Sequence, residues 1–72
     1  MNFSIDNYNS GRYITTTKQF NEVRILCVNR RAEHCIVALV KSEGFEHLYT
    51  YLPNGMLFDD EESPFDLILL ER

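Results

Sequence analysis

Two short apolar runs in the middle of the chain dominate its hydrophobic pattern. The first run is Val23–Val28, the second is Ile36–Val40, and the polar stretch Asn29–His34 separates them. Both runs are short and rich in β-branched residues, which is typical of strands rather than helices. Two such runs joined by a short polar link predict a central antiparallel hairpin, on which the rest of the chain packs.

The residues before this hairpin predict a short helix and one further strand. Ser4 or Asp6 can cap a single helical turn, and Gly11 can end it. We expect this turn to lay its apolar side chains over an open end of the sheet. Aromatic and β-branched residues in Arg12–Thr17 predict a half-buried strand. The turn that follows has no glycine or proline, and we expect Phe20 to anchor it by pointing inward.

The second half of the chain predicts two turns and three strands. Glu43 and Gly44 lie between apolar runs and predict a tight turn, followed by a strand over about residues 46–52. Asn54-Gly55 is a hairpin signal, because both residues accept positive φ, and Met56–Phe58 is expected to return as a short strand. The apolar run Phe65–Leu70 predicts a closing strand against the central sheet.

These elements predict a mainly β protein of five or six short antiparallel strands with one N-terminal helical turn. Small domains of this kind close into a partly open barrel or pack as a small sandwich. With 72 residues, the sequence is expected to form one domain over residues 1–72. Small domains often gain stability by association, so a homodimer is one expected state.

A series of short motifs resembles a set of small uncharacterised proteins from bacteriophages, prophages and gut-type Bacteroidetes genomes. The resemblance spans about residues 10–70, and its most distinctive parts are two strands. The motifs are Ser10-Gly11, Thr15, Val23-Arg24-Ile25-Leu26-Cys27, Ile36-Val37-Ala38-Leu39-Val40, Tyr49-Thr50-Tyr51, Asn54-Gly55, Glu62-Ser63 and Asp66-Leu67. The resemblance implies a small SH3-like β-barrel and a phage or mobile-element setting, and it assigns no functional residue.

The negative charge of the chain is concentrated in one place. Its formal net charge is −4, and four consecutive acids account for that excess: Asp59, Asp60, Glu61 and Glu62. A negative protein repels phosphate backbones, which argues against broad nucleic-acid affinity.

No stretch has the pattern of a signal peptide or the length of a membrane span, so a cytoplasmic protein without membrane contact is expected.

The spacing of the acids, cysteines and histidines does not match a metal site or a reactive thiol pair. The acidic run lacks the alternating spacing of a calcium loop, and consecutive acids usually form a solvated loop. Cys27, Cys35, His34 and His47 do not have the spacing of a zinc site. A hairpin symmetric about its loop would place Cys27 opposite Ile36, which separates the two thiols. No metal, cofactor or catalytic group is expected, and the chain is interpreted as a non-enzyme.

Two binding functions remain as hypotheses. The first is a small protein–protein interaction module, encoded by a phage or prophage, whose acidic loop contacts a host or viral protein. The alternative is a barrel that binds a nucleotide or nucleic acid through arginines and stacking tyrosines. The candidate binding residues for the two hypotheses together are Arg30, Arg31, Tyr49, Tyr51, Asp59, Asp60, Glu61 and Glu62.

Overall fold

A computed structural model, which describes all 72 residues, contains one short helix and five antiparallel strands in two sheets. The elements are α1 (Ile5–Asn9), β1 (Tyr13–Thr17), β2 (Val23–Cys27), β3 (Ile36–Ser42), β4 (Phe45–Tyr51) and β5 (Leu67–Glu71). One sheet pairs β1 with β5, and the other has the order β2-β3-β4. The mainly β prediction is confirmed, but the two sheets do not close into a barrel.

The predicted central hairpin is formed by β2 and β3, with one departure in its register. The first three pairs of β2 follow the symmetric register that the sequence predicts. A bulge at Leu26 then inserts one extra residue, so Cys27 lies opposite Val37 rather than Ile36. The predicted pairing of Cys27 is therefore wrong, because a bulge shifts every later pair by one position.

The turn between β3 and β4 is the tight hairpin that the sequence predicts. Glu43 has a φ of 54° and Gly44 a φ of 83°, so both central residues lie in the left-handed region. This combination matches the right-handed twist of the two strands, and Ser42 pairs directly with Phe45 across the turn. The strand that follows, β4, forms one edge of the three-stranded sheet.

The second predicted hairpin is wrong. Gly55 has a φ of 83°, but Asn54 keeps a negative φ, so the turn is not of the paired positive-φ type. The Gly55 N–H donates to the carbonyl of Leu52 at 2.8 Å, and the chain reverses there. Met56–Phe58 then forms no strand, because its middle N–H donates to the side chain of Asp66 instead of a neighbouring strand.

The apolar C-terminal run forms β5, as predicted, but with a different partner. It pairs with β1 through a regular antiparallel register, whereas the sequence predicted pairing with the central sheet. The other edge of β5 is covered by the N-terminus, because the Leu69 N–H donates to the Met1 carbonyl at 2.9 Å. Asn2 also forms a bridge with Ile68. Both edges of this strand are therefore occupied.

The buried side chains of both sheets form one hydrophobic core. Alternate residues of β3 and β5 supply most of it, together with one aromatic residue from β4 and one from the N-terminal arm. The members are Phe3, Ile36, Ala38, Val40, Tyr51, Leu67 and Leu69. Ser4, one of the two predicted caps, begins α1 by accepting a hydrogen bond from the Asn7 N–H. This arm carries Phe3 into the core.

The β1–β2 turn orients its aromatic residue outward, contrary to prediction. The buried hydroxyl of Thr17 accepts hydrogen bonds of 3.2 Å from the N–H groups of Gln19 and Asn21. The same hydroxyl donates to the Asn21 side chain. Because these polar groups fill the inside of the turn, Phe20 adopts a φ of 61° and is 69% exposed.

Candidate functional site

An open groove of about 560 Å³ lies beside β4, one of the two edge strands of the larger sheet. Three segments form it. One wall comes from Leu48–Thr50 and Leu52, the second from Glu33 and His34 in the β2–β3 connection, and the third from Leu57–Asp60. The three segments are distant in sequence, so the groove depends on the contacts that hold the loops in place.

A hydrogen bond joins two of these walls directly. The ring nitrogen Nε2 of His34 lies 2.9 Å from the carbonyl oxygen of Leu57. A carbonyl only accepts, so Nε2 carries the proton and donates. The imidazole of His34 is therefore engaged in positioning the walls of the groove.

The third wall is held by one buried carboxylate. Asp66 Oδ1 accepts a hydrogen bond of 2.9 Å from the Leu57 N–H, and Oδ2 accepts one of 2.9 Å from the Ser63 N–H. The ammonium group of Lys18 lies 3.7 Å from Oδ2. Asp66 is almost fully buried, and both of its oxygens have partners. One side chain thus fixes both ends of the segment that contains the acidic run.

The groove combines exposed apolar side chains with unpaired acids. Leu48 is 63% exposed and Phe58 is 48% exposed, although both are large apolar residues. Glu33, Asp59 and Asp60 line the same groove, and none of them forms an ion pair. An exposed apolar surface bordered by polar residues is typical of an interaction site.

The acidic run forms an exposed loop, as predicted. Asp59 and Asp60 line the groove, whereas Glu61 and Glu62 do not. Glu62 lies 3.5 Å from the Lys18 ammonium, while Glu61 has no cationic partner. The loop therefore presents three carboxylates without a counter-charge, two of them in the groove.

The basic and aromatic candidates are not brought together. Arg30 and Arg31 are exposed in the β2–β3 connection, and neither lines the groove. Arg30 donates a 3.4 Å hydrogen bond to the His34 carbonyl. Tyr49 lines the groove and is half-buried, with its ring stacked on Phe65 at a centroid distance of 5.5 Å. The two arginines and this ring therefore do not form one stacking site.

Tyr51 belongs to the core rather than to any surface. It is fully buried, and its hydroxyl donates a 2.8 Å hydrogen bond to the carbonyl of Phe65. Burial raises the pKa of the Tyr51 hydroxyl well above its usual value, and the nearby Tyr49 and Asp66 raise it further. The sequence predicted that Tyr51 contacts a ligand. The structure places its side chain in the core instead, as is usual for an aromatic residue at strand spacing.

The residues that sequence reasoning missed are Leu48, Phe58, Glu33 and His34. Single apolar residues at the surface are common in proteins, and the spacing of these four residues along the chain does not relate them to one another. Ser63 and Asp66, which hold the third wall, have the capping-box spacing of a serine followed three residues later by an acid, a signal that could have located this turn. In the structure the Asp66 N–H donates to the Ser63 carbonyl at 3.0 Å.

No group of three or more His, Cys, Asp and Glu side chains is arranged to hold a metal ion. Cys27 and Cys35 are both half-buried and are not bonded to each other. The single helix is far shorter than a membrane-crossing helix must be.

Comparison with protein-family models, with curated proteins and with solved structures finds no match for this chain.

Proposed function

We propose that this protein is a small non-enzymatic binding module that acts by protein–protein interaction through the groove beside β4. The observation that carries the proposal is the combination of exposed Leu48 and Phe58 with unpaired Asp59 and Asp60 in one groove. Apolar side chains supply affinity when they are covered, and unpaired charges select a partner of opposite sign. The expected partner surface is therefore apolar and basic.

The groups available for catalysis have other roles. The Nε2 atom of His34 bonds to the Leu57 carbonyl, and the half-buried Cys27 lies within the β2–β3 ladder. Nucleophilic catalysis requires a nucleophile and a base within hydrogen-bond reach of each other. The arrangement supports a binding function in preference to an enzymatic one.

The biological setting and the fold family belong to the same proposal. The resemblance to phage and prophage proteins supports a phage- or prophage-encoded module in the cytoplasm, whose partner is a host or viral protein. An SH3-like, partly open barrel is the proposed family architecture. An isolated bridge joins Thr16 of β1 to Glu22, the residue just before β2, and this link between the two sheets supports that architecture.

The alternative function, nucleotide or nucleic-acid binding, has less support from the site. Its aromatic candidate Tyr51 is buried, and Tyr49 lies in a groove whose unpaired charges are negative. Negative charge beside a stacking ring repels phosphate. A thermal-shift screen with nucleotides and short oligonucleotides at low salt should therefore show no stabilisation. A clear shift with one ligand would favour the alternative.

Affinity capture with a matched pair of variants tests the proposed function. The first variant carries Asp59→Asn, Asp60→Asn and Glu61→Gln, which removes the three unpaired carboxylates of the acidic loop. The control carries Asp6→Asn, Glu43→Gln and Glu71→Gln, which removes three exposed acids elsewhere. Both sets change the net charge equally.

A specific partner should bind the native protein and the control, and should be lost from the loop variant. Surface charge pairs act mainly through local complementarity, so the position of the neutralised acids should matter more than their number. Equal loss from both variants would show that only net charge matters and would contradict a defined site.

A further inference from the structure

We infer that β4 binds an extended basic segment of the partner as an added strand, with the side chains of that segment in the acidic groove. This inference rests on the proposed function and specifies its binding mode. An unpaired strand edge offers a row of backbone donors and acceptors, and extended peptides bind such edges by continuing the sheet.

The hairpin geometry determines which backbone groups of β4 face outward. Ser42 and Phe45 close a two-residue turn, so they exchange both backbone hydrogen bonds. Hydrogen-bonded pairs then alternate along the hairpin, and the N–H and C=O groups of Glu46, Leu48 and Thr50 point away from β3. Three residues of β4 thus present their backbone groups at the open edge.

These outward groups have no partner within the protein. No backbone or side-chain hydrogen bond joins the main chain of Phe45–Tyr51 to any segment except β3. Three other strand edges are at least partly protected, and on β1 this protection is a single bridge between Thr16 and Glu22. Met1 and Asn2 cover β5, and a bulge at Leu26 interrupts β2. Natural proteins commonly block a free edge in such ways, and the edge of β4 is not blocked.

The sequence of β4 also lacks most of the usual features that prevent strand addition, and its one acidic residue, Glu46, is ion-paired with Arg24 of β2. It contains no lysine and no proline, and its seven pairs with β3 run without a bulge. Its outward backbone groups at Leu48 and Thr50 belong to residues that also line the groove. An added strand would therefore bring its side chains directly beside the apolar and acidic walls.

Charge favours a basic partner over a second copy of this chain. If two copies paired antiparallel about Leu48, the two grooves would meet, and Asp59 and Asp60 of each would face acids of the other. Like charges opposed across an interface are destabilising. Successive side chains of an added strand point to opposite faces, so a segment that alternates lysine with an apolar residue presents its lysines together on one face, where they can pair with the unpaired carboxylates.

A fluorescent peptide that alternates lysine and valine tests this inference with the intact protein. Two matched peptides accompany it: one methylated at its central backbone amides, and one with glutamate in place of lysine. We expect the lysine peptide to bind. The methylated peptide should bind at least about tenfold more weakly, since the loss of about two hydrogen bonds has that effect. The glutamate peptide should also bind more weakly, because its charges repel the acids of the groove.

A pair of protein variants provides the second arm. Leu48→Pro removes an outward N–H without removing a bond to β3, and proline is tolerated at such edge positions. Leu48→Ala removes the same side chain and keeps the N–H. The proline variant should bind the peptide about fivefold more weakly than the alanine variant does, since it lacks one further hydrogen-bond donor.

Several results would overturn the inference. Equal binding of the methylated peptide, or equal binding by the two Leu48 variants, would show that no strand is added. A homodimer that Leu48→Pro converts to a monomer would show that a second copy occupies the edge. If strand addition fails while the captured partner still depends on the acidic loop, the proposed function stands without this binding mode.

Discussion

The carboxylate of Asp66 accepts a hydrogen bond of 2.9 Å from the backbone N–H of Leu57, nine residues earlier in the chain. Its second oxygen accepts another from the N–H of Ser63. In the variant Asp66→Ala, both N–H groups lose their acceptor in a largely buried site. We expect the free energy of unfolding to fall by about 3 kcal/mol, because hydrogen bonds to charged groups are among the strongest.

Urea denaturation of Asp66→Ala measures this loss, and Asp59→Asn provides the control. Asp59 is exposed and has no ion pair, so its replacement should change the free energy of unfolding by less than about 0.5 kcal/mol. If the two variants unfold at the same urea concentration, Asp66 does not hold the groove wall.

Gly44 and Gly55 have the same φ of 83°, but we expect their replacement by alanine to lower the free energy of unfolding by different amounts. A Cβ atom at Gly44 would meet nothing within 4 Å, whereas one at Gly55 would lie 2.6 Å from the Cβ of Phe3. Gly44→Ala incurs only the left-handed strain, about 1 kcal/mol. Gly55→Ala adds a clash within the core and should be destabilising by about 2 kcal/mol more. Thermal or urea unfolding of both variants gives this difference directly, and equal losses would contradict it.

The backbone conformation of Phe20 makes glycine the favoured residue at this position. Its φ of 61° is unfavourable for a residue with a side chain, and its ring is mostly exposed. Phe20→Gly should raise the free energy of unfolding by about 1 kcal/mol relative to Phe20→Ala, because both remove the ring and only glycine relieves the strain. Parallel denaturation curves test this, and a glycine variant no more stable than the alanine variant would contradict it.

The buried hydroxyl of Tyr51 predicts a loss of stability at high pH. Its pKa is raised in the folded protein, so below the unfolded value of about 10 both states are neutral and the full stability is present. Above that value only the unfolded state ionises, which lowers the free energy of unfolding as the pH rises. Tyr51→Phe should lose about 1 kcal/mol at neutral pH, from the bond to Phe65.

The same variant should lose less stability than the native protein between neutral and strongly alkaline pH. Urea unfolding at a series of pH values provides the comparison. An identical alkaline decrease in the native protein and in Tyr51→Phe would show that other groups cause it.

Much of the fold follows from local sequence, and the exceptions have identifiable causes. Neighbouring residues determine the β2–β3 hairpin, the Glu43-Gly44 turn and the Ser4 cap. The local sequence pattern was therefore sufficient to predict these three features. Phe20 was placed inward because it is apolar, but the hydrogen bonds of Thr17 decided its orientation. The Asn54-Gly55 turn did not lead into a returning strand, because the Leu57 N–H, two residues after Gly55, donates to the distant carboxylate of Asp66.

The candidate site was only partly predictable. Asp59, Asp60 and Tyr49 were identified from charge and aromatic character, and all three line the groove. Leu48 and His34 were not identified as site residues, because the groove forms only where three segments distant in sequence come together. Their meeting depends on single hydrogen bonds to the Leu57 backbone, which no spacing or composition rule reveals.

Amide hydrogen exchange along β4 is the most direct test of the account. In the free protein, the N–H groups of Leu48 and Thr50 should exchange quickly, while those of Tyr49 and Tyr51, bonded to β3, should exchange slowly. Adding a saturating amount of the lysine–valine peptide should slow the Leu48 and Thr50 amides specifically. Unchanged exchange at both positions with the peptide bound, or protection at Arg30 and Arg31 instead, would contradict binding at the edge of β4.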